Sequence, residues 1–184
     1  MKLVLSIIVV VFTLIIVYFF VLGYLSKKGN PIGLIDARLA ACEQKPNCVC
    51  SEYPDDQSHF VLPINYTVIS DLPVSVDVVD AALKPAAEDI IRIAKQAVIE
   101  LGGTVQTDDD SHREHPFYLA ATFQSTLFGF VDDVELRFDS QDKLLHFRSA
   151  SRVGYSDFGA NLKRIEKLKN TILARLAADS LVDS

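Results

Sequence analysis

Residues 3–25 form an apolar run broken only by Ser6, Thr13, Gly23 and the amphipathic Tyr18 and Tyr24, with no charge inside it. A helix rises about 1.5 Å per residue and a bilayer's hydrocarbon layer is about 30 Å thick, so the run is long enough to cross one. After Ser26 the pattern turns to short alternations and helical repeats. Residues 59–66 have strand composition, with Pro63 marking an edge or a strand end. Val74, Val76 and Val78 alternate with polar residues and predict a further short strand. Across 84–101, Ile90, Ala94, Ala97 and Leu101 recur at helical spacing, Pro85 suits the first turn and Gly102 the stop. Strands are then expected at 104–107, 117–124, 131–138 and 143–151, each rich in aromatic or β-branched residues. A last helix over 158–178 places Leu162, Ile165, Leu168, Ile172 and Leu176 on one face, with Ser156 or Asp157 as N-cap.

The strands between the helices are joined too tightly for parallel crossovers, which need a dozen or more residues, so they pair antiparallel. The expected fold class is α+β: an N-terminal transmembrane helix, then one domain with an antiparallel sheet packed by two main helices. The expected organisation is an anchor at 1–26, a linker at 27–38, the domain at 39–178 and a tail at 179–184. A cleaved signal peptide competes with the anchor, but its apolar segment is usually only about 7–15 residues long and ends in a small-x-small site. Gly23-Tyr24-Leu25 fits that poorly. Leu39-Ala-Ala-Cys42 looks like a lipoprotein processing box, yet Lys27, Lys28, Asp36 and Arg38 part it from the apolar run.

A net charge of −6 and the lack of a basic stripe with interleaved aromatics exclude a nucleic-acid partner. Three cysteines, Cys42, Cys48 and Cys50, lie close together and can pair in three ways with one thiol left over. A disulfide in an oxidising space, zinc with His59 as fourth ligand, and unpaired core thiols all remain open. Lys2 and the amino terminus on one flank nearly cancel Lys27 and Lys28 on the other, so the disulfide reading tips the orientation to a cytoplasmic N-terminus. The expected location is therefore a single-pass membrane protein with its domain periplasmic or otherwise exported.

The densest chemistry lies in 128–138 and 148–164. Asp132, Asp133, Glu135, Arg148, Ser149, Ser151, Arg152, Ser156, Asp157, Asn161 and Arg164 are the candidate ligand-binding residues. Such a set either locks a turn or lines a site. Keeping Val134, Leu136 and Phe138 on the core side together with Leu145 and Phe147 restricts the hairpin register. A turn centred on Ser140 and Gln141 satisfies this, placing Asp133 opposite Arg148 and Glu135 opposite His146. That face is read either as a solvated sheet surface, with pairs worth about 0.2–1 kcal/mol each, or as the floor of a groove.

Several of these segments carry a resemblance. Cys42-x5-Cys48 with Pro46-Asn47-Cys48-Val49, His59-Phe-Val-Leu-Pro-Ile, Tyr118-Leu, the Phe130–Glu135 segment and the 148–161 segment together resemble the domain of unknown function 1499 family over roughly 39–176. Glu43 and Cys50 stand where the family pattern usually has proline and serine, and Leu162 replaces an arginine. The resemblance implies small, often membrane-associated or exported proteins with no settled reaction, and it points to Cys42 and Cys48 as the disulfide pair.

Asp132 and Asp133 are neighbours in a strand, so they face opposite ways and cannot act as a paired acid and base. Ser149 and Ser151 share a face, but His146 has the other parity, so no serine nucleophile is assembled. Asp108, Asp109 and Asp110 with His112 and His115 read as a metal loop or, more simply, a solvated one. Arg148, Arg152, Lys163 and Arg164 near a helix N-terminus read as an anion pocket, against the alternative that Asp157 caps the helix and pairs with Arg152 or Arg164. The basic face of Lys163, Arg164, Lys167, Lys169 and Arg175 is either solvated or rests on anionic lipid. No metal or cofactor is assigned. The expectation is a membrane-anchored ligand-binding or assembly module of the envelope, its partners being the membrane through 3–25 and an unidentified ligand or protein. The alternatives are an enzyme using the Asp133/Glu135/Arg148/Arg152 face and a passive envelope protein.

Overall fold

The computed structural model describes residues 1–66, 87–106, 115 and 117–182. The expected strand around 74–78 and the metal-loop residues Asp108, Asp109, Asp110 and His112 lie outside them. Helix α1, Lys2–Ser26, is long and apolar enough to cross a membrane. Its side chains are exposed apart from its end, where Gly23 and Ser26 are buried against the domain.

The stretch expected as a linker is structured over its second half. Strands β1, Leu34–Ile35, and β2, Arg38–Leu39, form a hairpin around Asp36 and Ala37. Both turn residues have positive φ, 49° and 61°, as a two-residue hairpin that follows the strand twist requires. Asp-Ala lacks the glycine or asparagine that normally announces such a turn, and strands this short carry no alternation to read.

The remaining strands are β3, Cys48–Cys50, β4, Ile64–Asn65, β5, Thr104–Val105, β6, Tyr118–Gln124, β7, Val131–Asp139, and β8, Leu144–Ser151. Among the described residues they form one sheet in the order β3-β8-β7-β6-β5, with β4 also pairing β8 and every ladder antiparallel. Only Ile64–Asn65 of the strand expected at 59–66 is paired this way, directly after Pro63 and on the sheet's edge. Helices α2, Ala87–Glu100, and α3, Ala160–Val182, cover one face, so the α+β class is as expected. Ile90, Ala94, Ala97 and Val98 of α2 meet Leu119, Val134, Leu136, Phe147 and, from α3, Ile165, Leu168 and Ile172 in the main core.

The β7–β8 register differs from the expected one by two residues. Glu135 pairs Arg148, Asp133 pairs Ala150 and Arg137 pairs His146. The turn is longer because Asp139 organises it: its Oδ1 accepts bonds from the amides of Gln141 (2.9 Å) and Asp142 (3.2 Å), and Lys143 closes it at φ 57°. A shift of two preserves which face each side chain points to and changes its partner.

The second face of the sheet is not solvated. The β1–β2 hairpin lies over it, and Leu39 packs with Cys50, Tyr118 and Ala120, flanked by Leu34, Cys42 and Tyr53.

Candidate functional site

Because strand side chains alternate, the polar residues of β7 and β8 are sorted onto two faces. Toward the helices lie Asp132, Ser149 and Ser151. Arg164 reaches down from α3 to Asp132 (2.6 Å) and also donates to Ser149 Oγ (3.1 Å) and Asn161 Oδ1 (2.6 Å). Ser149 donates to Asn161 Oδ1 at 2.5 Å, and the Asn161 amide reaches Ser151 Oγ (3.0 Å) and the Asn47 carbonyl (2.9 Å). The Arg164 guanidinium also stands over the Phe123 ring, 5.1 Å from its centroid. These bonds lock the first turns of α3 onto the sheet.

On the opposite face, Glu135 is fully buried (0% exposed) and Arg148 nearly so (4%). Glu135 Oε2 accepts from Arg148 Nη1 at 2.9 Å, while Oε1 accepts from the Tyr118 hydroxyl at 2.6 Å and the Gly33 amide at 2.8 Å. Burial, then the neighbouring Glu135 charge, push the Tyr118 phenol far above its ordinary range, so it stays a proton donor to that carboxylate. Arg152 grips Asp133 with Nε (3.0 and 2.9 Å) and Nη2 (2.6 Å), and its Nη1 donates to the carbonyl of Ser26 at 3.2 Å. Ser26 Oγ in turn accepts from the Val131 amide at 3.0 Å. Gly29 runs against the Arg152 stem, where a Cβ would lie 3.1 Å from Cδ. Two carboxylates and two guanidiniums of the sheet therefore hold the chain that leaves α1.

The expected anion pocket does not form: Arg148, Arg152 and Arg164 each already pair a carboxylate, and Lys163 is exposed. Asp157 does cap α3, accepting from the amides of Gly159 (3.0 Å) and Asn161 (2.6 Å), but both arginines proposed as its partners pair elsewhere. Ser156 is exposed and, among the described residues, accepts from the Phe158 amide at 3.3 Å, so it stands apart from the other candidates. Arg148 Nε is buried with no hydrogen-bond partner among the described residues.

Cys42 and Cys48 are joined, with Cα atoms 5.7 Å apart, and Cys50 is a buried free thiol whose pKa burial raises. His59 directs Nδ1 to Asp56 (2.7 Å) and Ser58 (3.0 Å) and Nε2 to the Lys45 carbonyl (3.0 Å). The zinc arrangement with three thiols and His59 is thereby replaced by a disulfide and a structural histidine. The serine and the aspartate share one ring nitrogen, so this is no nucleophilic triad.

Residues 38–172 match the family described as a protein of unknown function (DUF1499). The chain belongs to that family. A search of curated proteins finds no match. The DUF1499 segment thus includes both charged faces and the disulfide but not α1, whose last turn the Asp133–Arg152 pair holds.

A further polar cluster in the DUF1499 segment was missed by sequence reasoning. Glu52 accepts from Arg137 Nε at 2.6 Å and Arg38 Nε at 3.0 Å, and Arg137 also donates to Asp139 at 3.1 Å. Burial raises the Glu52 pKa, but the hydrogen bonds and charges of Arg137 and Arg38 outweigh it and hold the carboxyl below its ordinary value. Beside it, Ser51 Oγ lies 3.1 Å from His146 Nδ1 and accepts from the Phe147 amide at 2.8 Å. Burial depresses the His146 pKa, keeping the imidazole neutral. Arg137 and His146 share the parity of Glu135 and Arg148, a signal present in the sequence. Ser51 and Glu52 follow a strand too short to detect.

Proposed function

We propose that this chain is a membrane-anchored assembly module of the cell envelope, with residues 3–25 in the bilayer and the domain held in a fixed pose at its surface. The observation that carries this reading is the Arg152 bridge, in which one guanidinium joins Asp133 to the last carbonyl of α1. A flexible tether has no use for a buried ion pair at its root. The inward-facing polar set is engaged with itself, which favours holding a geometry over turning over a substrate. The Cys42–Cys48 disulfide accords with a domain on the oxidising side of the membrane.

One observation favours the second reading, a small-ligand or catalytic use of the Asp133/Glu135/Arg148/Arg152 face: Arg148 Nε, buried without a hydrogen-bond partner among the described residues, is a donor that a small carbonyl-bearing ligand would satisfy on displacing the N-terminal chain that covers this face. Native mass spectrometry of full-length protein, extracted gently from its own membranes, separates the two. The module reading expects a reproducible protein partner, retained by Lys169→Ala and lost in Arg152→Ala. A small bound mass that disappears in Arg148→Ala, with no protein partner, would transfer the function to the ligand reading. A bare monomer in every preparation contradicts the module.

A further inference from the structure

The two ends of the β7 strand are chemically unlike. At one end the turn to β8 reads Asp139-Ser-Gln-Asp-Lys143 and is charged. At the other, the β6–β7 turn reads Gln124-Ser-Thr-Leu-Phe-Gly-Phe-Val131, with no charge and with Leu127 69% exposed. This uncharged turn packs directly on α1. Phe128 lies 5.3 Å, centroid to centroid, from both Phe19 and Phe20, and Phe130 lies 6.3 Å from Phe19. The backbones touch: a Cβ on Gly23 would fall 1.9 Å from the Phe128 carbonyl oxygen, so only glycine fits there.

We propose that the β6–β7 turn is a second membrane contact, inserted beside α1 at the boundary between lipid headgroups and hydrocarbon. This rests on α1 spanning the bilayer as proposed above. Phe19 precedes Ser26 by about two helical turns, roughly 10 Å along the axis, so the ring stacked on it lies below the level at which the chain leaves the membrane. Depth sets a further requirement, because backbone groups shielded from water must be satisfied internally. The base of the turn meets it, which suits a shallow depth at the headgroups rather than one within the hydrocarbon: the Ser125 amide donates to the Phe130 carbonyl (2.8 Å), the Gly129 amide to the Ser125 carbonyl (3.2 Å) and the Phe130 amide to Ser125 Oγ (2.9 Å). Between turn and helix an open cleft of about 560 Å³ is lined by Phe20, Tyr24 and Lys27 from the α1 side and by the turn from Gln124 to Gly129. Phenylalanine and leucine side chains mixed with a lysine, a tyrosine and uncharged polar residues match the composition expected at the headgroup level, where apolar bodies and polar tips meet.

The test uses the full chain with Cys50→Ala, reconstituted in vesicles of phosphatidylcholine and phosphatidylglycerol. A polarity-sensitive fluorophore is placed in turn at Val10→Cys, Leu127→Cys and Gln141→Cys, and spin-labelled lipids quench it near the headgroup or at the acyl-chain end. The proposal expects Leu127→Cys to lose most of its emission to the shallow quencher, Val10→Cys to the deep one, and Gln141→Cys to neither. Quenching at Val10→Cys with none at Leu127→Cys would overturn the second contact and leave the anchor standing. No quenching at Val10→Cys would remove the anchor, and the proposal with it.

Discussion

The two faces of the β7–β8 pair are both buried, yet by different means. Toward the helices, Val134, Leu136, Phe147 and Leu145 are sealed by the aliphatic faces of α2 and α3, with the Asp132–Arg164 pair and its partners gathered at the end of the sheet beneath the start of α3. On the other side, Glu135, Arg148, Asp133 and Arg152 are sealed by the N-terminal chain and held by charge pairs and hydrogen bonds. Apolar contact is non-directional and tolerates rearrangement, whereas a buried ion network holds its cover only in one geometry. The helix face therefore supplies the bulk of the burial, and the charged face fixes where the apolar helix α1 sits relative to the domain.

The sharpest way to break the comparison is to strand a charge. Arg148→Ala leaves Glu135 buried without its cation and is expected to cost about 3–5 kcal/mol in urea unfolding of the full-length protein in detergent. The double change Glu135→Gln with Arg148→Met is expected to recover much of that loss, since it removes both charges together. On the opposite face, Leu136→Ala opens a cavity and is expected to cost about 2–5 kcal/mol, with no charge partner whose removal could offset it. Rescue on one face and none on the other would establish that they are buried by different physics.

Smaller effects follow from the partners around these groups. Tyr118→Phe removes one donor to Glu135 and is expected to cost about 1.5–3 kcal/mol, leaving the Arg148 pair in place. For pH, His146 is held neutral by burial, its folded pKa lying below the unfolded value of 6.5. As pH falls through about 6.5 the unfolded chain takes up a proton that the fold refuses, so stability drops. Glu52 has a folded pKa below 4.5 and contributes stability above that value, lost as the pH falls through its folded pKa. Thermal melts should therefore show two acid steps, and His146→Gln should abolish the first. The smallest effect expected is at Lys169, which bonds the Leu62 carbonyl on the surface: Lys169→Ala should cost under about 1 kcal/mol and less than Arg152→Ala.

Strands β6, β7 and β8 and both packing helices were legible because their apolar spacing runs long enough to define a period. The hairpin at Leu34–Leu39 and strand β3 were not, since two or three residues cannot show alternation. The β7–β8 register escaped because the turn is set by the Asp139 carboxylate and a lysine with positive φ, neither of which composition announces. The polar set itself stood out in the sequence. Its pairing depended on that register, and its burial depended on a cover drawn from a hundred residues away, which alternation along β7 and β8 does not encode.

The claim that the charged face fastens the apolar helix α1 to the domain is tested most directly by hydrogen exchange across residues 27–39 of the full chain in lipid nanodiscs. There the Gly33 amide bonds Glu135, and the backbone beside it lies against Arg152. The account predicts that this stretch is protected in the wild-type protein and that residues 27–33 lose protection in Arg152→Ala while β6 and α2 keep theirs. Exchange of 27–33 in the wild-type protein at the rate of an unstructured chain would contradict it.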